Sequence, residues 1–438
     1  MRRQLSKEIA VYTIGSFAAS GLLYLTVPIY TRIFPPEEFS RLAFVQSVAA
    51  AIAGLLVLGG DVALSRFWFQ QESPQRRSTL VWTWIGFLTA WSILVVALLL
   101  PFSPLFAAWS FGDSQLWLLF ALGIGALPLV QLNRMLAQIL RNEFRATHFA
   151  ITSVLLGFLT LVCGFLLAVV GNLGIPGILA GALVAEVIVL AIRAWLVRSH
   201  RTPGFDRELL GKVLRFGVPL VPGSISFWVI ASSDRIIVGL MAGPTELGYY
   251  AVSTSIVAVF AVLLVAIGQA WLPRIVQLYE EDAEQSEIVA GKAFTRLVLL
   301  LAAMAAAISL TAPWLVAIVS GPEYAPAAQA LPLLALGATL FGTTVLTANG
   351  LELAKRTKEL AAIAVVAAAV NVAAAITLVP SLGSIGAATA SIIGYALLTG
   401  LFMYRSRRYW RMRVNAPAVA AGLVALCAIV AAQTAILG

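Results

Sequence analysis

Charge is the scarcest ingredient of this 438-residue sequence: Asp, Glu, Lys and Arg together make up 11% of it, where soluble domains carry roughly 25%. With 61% of its residues hydrophobic, a water-soluble body of this size would leave most of its apolar surface uncovered. A soluble enzyme, a secreted disulfide scaffold and a nucleic-acid binder are therefore excluded. Cysteine and histidine are nearly absent as well. Cys163 and Cys427 fall inside apolar runs without metal-ligand spacing, which reads as small buried side chains. His148 and His200 stand beside basic residues at expected membrane edges, so no metal is expected. No Gly-x-x-x-x-Gly-Lys-Ser/Thr phosphate loop occurs, and no cofactor is expected.

What the sequence has in abundance is apolar runs of about 20 residues, long enough to cross a bilayer core of roughly 30 Å. Twelve spans are expected, at about 9–33, 42–65, 79–100, 115–139, 148–170, 174–196, 214–240, 247–272, 293–319, 329–351, 359–379 and 384–404. A thirteenth run, about 416–437, follows a basic hinge. The first run is too long for a signal-peptide core and is read as an uncleaved span. The chain is thus expected to be an all-α, multi-pass integral membrane protein. With the N-terminus placed in the cytoplasm, 26 of the 29 Lys and Arg residues fall on the inner side, a strong positive-inside bias. Only Arg32, Arg41 and Arg235 remain outside. The formal charge of +9 then reflects topology and anionic inner-leaflet lipid; no nucleic-acid partner is implied.

The two halves resemble each other at a nearly constant offset. Thr31-Arg32 corresponds to Asp234-Arg235 at 203, Gly60 to Gly268 and Arg66 to Arg274 at 208, and Arg145 to Lys355 at 210. Leu173-Gly174 matches Leu382-Gly383 at 209, as Arg198 matches Arg407. A repeat of six spans enters the membrane from the same side in both copies, so it predicts a parallel 6+6 arrangement of two six-helix lobes around a central cavity. The expected divisions are a first lobe at 1–197, a cytoplasmic linker at 198–212, a second lobe at 213–405, and a basic hinge with an accessory span at 406–438.

Ionisable groups inside a membrane cost roughly 2.5–3.5 kcal/mol on insertion scales and usually face a cavity or a partner. Asp234-Arg235 lies several turns into the seventh span. Adjacent helical residues point in different directions, so the two are expected to engage different partners. A structural lock between helices and a cavity-lining role for Arg235 both remain open. Arg32, its repeat mate, follows Pro28 by one turn; the proline allows a bend, and the arginine either snorkels to headgroups or faces an anionic substrate. Asp61 follows Gly59-Gly60 and is read as a helix lock or an ion-coupling site. Glu186 stands alone near the middle of span six, as a switchable proton site or a hydrogen-bond partner of a neighbouring helix. Arg66, Arg134 and Arg274 end spans on the inner side and could greet a phosphate there. Gly177 and Gly181 form a Gly-x-x-x-Gly step, and span eleven is rich in alanine; both predict close helix approach. Asp282-Ala283-Glu284, an acidic pair, is read as part of a solvated inner loop.

Val27-Pro28-Ile29-Tyr30-Thr31-Arg32-Ile33-Phe34, followed by Pro36-Glu37-Glu38-Phe39 and Gln46-Ser47, resembles the first-span signature of bacterial polysaccharide exporters. Ser232-Ser233-Asp234-Arg235, with Gly239 and Gly243-Pro244-Thr245-Glu246-Leu247-Gly248-Tyr249-Tyr250, resembles that family's motif between spans seven and eight. These are the Wzx-type lipid-linked oligosaccharide flippases of the multidrug/oligosaccharidyl-lipid/polysaccharide (MOP) superfamily. The resemblance covers roughly residues 5–405; the run after residue 415 departs from the common twelve- or fourteen-span plan. It implies transport of an undecaprenyl-pyrophosphate-linked oligosaccharide from the inner to the outer leaflet of the bacterial cytoplasmic membrane. It also implies membrane lipids and glycan polymerase machinery as partners, and a phosphate- or sugar-facing role for Arg32 and Arg235. The same fold carries multidrug/cation antiporters, which need an acidic or aromatic cavity. A membrane glycan polymerase or ligase would need a long outer loop with catalytic residues, and the sequence lacks one; no enzymatic activity is expected.

Overall fold

The computed structural model describes residues 15, 17–19, 21, 22, 24–198 and 204–437, leaving out the side chains of Asp61, Leu220, Val265, Ala266, Gln269, Ala270 and Pro273. Its described residues form helices joined by short turns, without a strand. Among them, eleven helical runs are long and apolar enough to cross a membrane. Expected spans two to ten each overlap one such run, from Pro36–Trp68 to Leu331–Leu353, with spans seven to nine displaced by several residues. Spans eleven and twelve share the run Thr357–Ser406, which breaks at Gly383, where φ is 55°. The run expected as a thirteenth span is the helix Ala416–Leu437. Residues 9–14, 16, 20 and 23 of the first expected span lie outside the described residues.

Local geometry repeats along the chain as well as sequence does. Phe144 and Lys355 both adopt left-handed backbone, with φ of 56° and 57°. Each is followed by an amide closing back onto the preceding helix, Arg145 N to Leu140 O at 2.9 Å and Arg356 N to Leu351 O at 2.8 Å. The structural register therefore pairs Arg145 with Arg356, one residue beyond the pairing with Lys355. Gly174 and Gly383, paired by sequence, both have positive φ.

By its contacts the chain divides into two compact units. One comprises Arg41–Ile225 with the described residues up to Thr26; the other comprises Val27–Ser40 with Ser226 onward. In the first unit, Leu80, Trp84, Leu88, Ile139 and Leu140 are fully enclosed. The Gly-x-x-x-Gly step does what its sequence predicts: a Cβ at Gly177 or Gly181 would land on the backbone of Ala168 or Gly164 in the preceding helix. Residues 207–217, expected to be linker and the start of span seven, instead form a separate helix, Arg207–Gly217. Asp206 caps it through the Leu209 N–H at 3.0 Å, and Glu208 pairs with Lys212 at 2.7 Å. Val213 with Leu209, Leu210, Leu214 and Phe216 packs on the first unit's core. Its amphipathic 3.6-residue period is masked in the sequence by the surrounding charge.

In the second unit, Ala364, Ala367 and Ala368 of span eleven are buried against Ile230, Leu398 and Phe402. The segment Val27–Ser40, which the repeat assigns to the first lobe, clusters here. The helix of the first span is interrupted at Leu25 and resumes as the short turn Thr26–Tyr30; Pro28, with no N–H, cannot continue the ladder across the break. The segment is then pinned along its length. Arg32 donates to the carbonyls of Pro28 and Ile318, both at 2.6 Å. The Tyr324 hydroxyl donates to Phe34 O at 2.8 Å, and Thr245 Oγ1 to Glu37 Oε1 at 3.2 Å. Gly248 lets the backbone of Pro36 lie against it, since a Cβ there would collide with the Pro36 carbonyl. Asp282 and Glu284 lie at a helix start rather than in a loop: Asp282 caps Ala283–Leu310 through Gln285 N at 2.9 Å, and Glu284 pairs with Arg413 at 2.5 Å.

Overpacking of a tight seat typically costs about 1–3 kcal/mol. Gly248→Leu should therefore lower the thermal unfolding midpoint of the detergent-purified protein by several degrees. Gly400→Leu, at a helical glycine whose added Cβ would meet no neighbour, should leave that midpoint unchanged.

Candidate functional site: a cationic cavity

Leu127–Asn142 is apolar on one face, yet it carries Gln131, Asn133, Arg134, Gln138 and Arg141. Gln131 and Asn133 are buried, so their amides must be bonded within the protein. Gln131 Nε2 donates to Ala53 O at 2.9 Å. Asn133 works in both directions. Its Nδ2 donates to the Glu186 carboxylate at 2.5 Å and to the Glu186 carbonyl at 2.8 Å. Its Oδ1 and main-chain oxygen accept from Arg193 Nη1 at 3.4 and 3.1 Å.

Arg193 is 3% exposed and is held by neutral oxygens. Besides Asn133, Nε donates to Thr152 Oγ1 and Nη2 to Ser153 Oγ, each at 3.2 Å. Glu186 and Arg193, seven residues apart on Gly174–Leu196, are thus bridged by one carboxamide and do not pair directly. Glu186 is within electrostatic reach of Arg134 as well.

Gln131 and Arg193 border a cavity of about 360 Å³ lined by the first unit. Arg134, Arg141 and Arg193 supply its charge, Gln131 and Gln138 its neutral donors, and Trp84, Met135 and Phe149 part of its apolar wall. Among the described residues no carboxylate lines it. Arg141 lies over the Phe149 ring at 5.1 Å, and exposed Arg134 makes no salt bridge among the described residues. A guanidinium's planar fork can bind paired phosphate oxygens; Arg193, whose three nitrogens are engaged within the protein, adds buried positive charge beside Arg134 and Arg141. A cation would be repelled.

The residues singled out from sequence are distributed more widely. Arg66 is exposed and lies over the Phe216 ring at 4.5 Å; Arg274 is exposed on Val259–Glu281. Asp61 sits in Gly60–Trp68, next to a glycine of the cavity wall, and its side chain lies outside the described residues. In the second unit Asp234 is 6% exposed and accepts from the Tyr250 hydroxyl and, through Oδ1, from the Arg235 amide at 2.8 Å. The Arg235 side chain is half-buried. Pro28 serves as carbonyl acceptor for Arg32, whose guanidinium spans the ends of two helices, where carbonyl dipoles favour a cation. Sequence reasoning passed over Asn133, Arg141 and Arg193. Arginines near span ends are absorbed by the positive-inside count, and only the run of amides beside them marked the helix as functional.

The fold is that of the MOP superfamily of membrane transporters. It superposes on an inward-facing multidrug resistance MATE family transporter at a TM-score of 0.77 with 17% identity, covering 93% of this chain and 95% of that one. Against the lipid II flippase MurJ in an inward closed conformation the TM-score is 0.77 with 12% identity, covering 98% of each chain. A MOP superfamily transporter from Pyrococcus furiosus, described as having a binding pocket of reverse polarity that suggests a different function, gives 0.67 with 18% identity, over 92% of this chain and 95% of that one. No curated protein matches the sequence. The model of the polysaccharide biosynthesis protein family matches residues 5–279, and the MatE model matches residues 219–377. The first match covers more than half of the chain: this protein belongs to the polysaccharide biosynthesis protein family.

Removing one partner from a buried polar network leaves the others unsatisfied, at about 1–3 kcal/mol each. Asn133→Leu should therefore destabilise the purified protein more than Gln138→Leu, whose amide bonds to Ser65 and Asn142 in a half-buried setting. Thermal unfolding of the two variants side by side measures the difference.

Proposed function

We propose that this protein is a flippase that carries an undecaprenyl-pyrophosphate-linked oligosaccharide from the cytoplasmic to the outer leaflet by alternating access, in the synthesis of O-antigen, capsule or exopolysaccharide. The observation that carries this reading is the three-arginine cavity without a carboxylate among its described lining. A diphosphate and several sugars cannot cross hydrocarbon unaided, because each polar group would shed its water uncompensated. A polar path lets the headgroup cross in a wet environment while the polyprenyl tail stays in the bilayer.

In this reading Arg134 and Arg141 receive the diphosphate on the cytoplasmic side, with buried Arg193 adding positive charge beside them and the exposed Arg66 and Arg274 drawing it in. Arg32 and Arg235 meet it nearer the outer face, and Asp61, Glu186 and Asp234 couple or gate the movement. Membership of the polysaccharide biosynthesis family and the MurJ-like fold support a lipid-linked cargo. The MATE-like fold keeps a cation antiporter as the competing reading, against which the sign of the cavity's charge weighs.

Proteoliposomes holding the purified protein decide between them. Leaflet exchange of an undecaprenyl-pyrophosphate oligosaccharide without efflux of a cationic dye is the expected result; dye efflux without exchange would make the protein an antiporter. Arg235→Ala should abolish exchange while leaving membrane insertion intact. Glu186→Gln should remove any dependence of exchange on a pH gradient, and an unchanged dependence would reduce Glu186 to a structural partner of Asn133.

A further inference from the structure

The Ala416–Leu437 helix stands outside the six-span repeat, and the transport reading gives it no work. Of its side chains only Leu426 and Val430 are buried. Toward its start it leaves a second cavity, of about 760 Å³, against the helices Ala283–Leu310 and Leu331–Gly342 and the end of Thr357–Ser406. This volume lies within the range of cavities that hold sizeable ligands, roughly 300–1,000 Å³.

The cavity has two chemically distinct ends. Arg407, Arg411 and Arg413 border one part of it, and all three are exposed. Phe294, Val298, Leu340, Met403 and Leu423 form the other, apolar part. The hydroxyls there make no demand on a ligand: Thr343 and Thr399 both donate to Leu340 O, at 2.7 and 2.9 Å. Charge at the mouth is unbalanced. Glu287 is the one carboxylate among the described lining residues, and it is already engaged, by the Arg411 amide at 3.0 Å and by Arg413 Nε at 4.0 Å. Arg413 also pairs with Glu284 at 2.5 Å. Arg407 and Arg411 make no salt bridge among the described residues.

We infer that this cavity holds one resident anionic glycerophospholipid, its phosphate on Arg407 and Arg411 and an acyl chain along the Phe294–Leu423 wall, seating the Ala416–Leu437 helix on the second unit. A free phosphate would satisfy the guanidiniums but leave the apolar wall facing water. A neutral lipid would fill the wall and leave two cations unbalanced in a setting where basic clusters at a membrane surface select anionic headgroups. The site lies in the second unit, apart from the three-arginine cavity, and does not depend on the identity of the cargo.

The test is native mass spectrometry of the full-length protein in neutral detergent, titrated with phosphatidylglycerol or with phosphatidylcholine. One tightly held phosphatidylglycerol is expected, with phosphatidylcholine at least about tenfold weaker. Arg407→Gln with Arg411→Gln, both at exposed positions, should weaken phosphatidylglycerol at least about tenfold. Ala420→Trp, which places an indole in the cavity, should do the same without touching the arginines. Equal binding of the two lipids, or unaltered phosphatidylglycerol retention in the arginine pair, would overturn the inference. So would displacement of phosphatidylglycerol by an equimolar polyprenyl phosphate, which would assign the cavity to the chain of a transported lipid instead.

Discussion

Hydrocarbon offers no hydrogen bonds, so the ionisable groups this chain buries in the membrane need polar partners from the protein itself. That constraint organises both units. In the first, a carboxylate and a guanidinium seven residues apart on one helix are satisfied through the amide of Asn133 on another, with Thr152 and Ser153 completing the arginine's shell. In the second, Asp234 is closed off by the Tyr250 hydroxyl and the next amide. The helices that meet at these points are held in register by polar geometry, while the surrounding Leu, Ala and Phe side chains only require to be covered.

The same constraint explains why the cavity in the first unit is chemically useful. Arg193 is bound directly by neutral oxygens, and the Glu186 carboxylate, one carboxamide away, remains coupled to it electrostatically. Arg134 and Arg141 add to that charge from the adjoining helix. The carboxamide of Asn133 orients the guanidinium and the carboxylate together, and the cavity's lining carries three arginines.

The segment Val27–Ser40 shows a second economy. Arg32 resembled a substrate ligand because a cation is unusual on the expected outer side. Its observed work includes tying the turn at Pro28 to the end of Ala312–Val319, where two sets of unpaired carbonyls converge. Tyr324 and Gly248 secure the rest of the segment. A motif shared across a family can therefore mark a joint as readily as a ligand contact, since both require a fixed residue at a fixed place.

The sequence alone determined the membrane class, the approximate place of most apolar helices and the family, because each rests on properties summed over many residues: hydropathy over twenty positions, motifs over eight. Close approach at Gly177 and Gly181 was legible for a similar reason, since only small residues admit a second backbone. Three things were decided by tertiary structure alone. The amphipathic helix Arg207–Gly217 emerged from a stretch whose charges disguised its period. Val27–Ser40 joined the second unit through backbone carbonyls, which carry no sequence signature. Arg193 became a buried cation facing a cavity, although its residue type and place near a span end are those of an ordinary topology arginine. Whether such a side chain reaches headgroups or turns inward depends on whether neighbouring helices supply enough oxygens to replace water, and those oxygens come from positions 40 to 60 residues away in the chain.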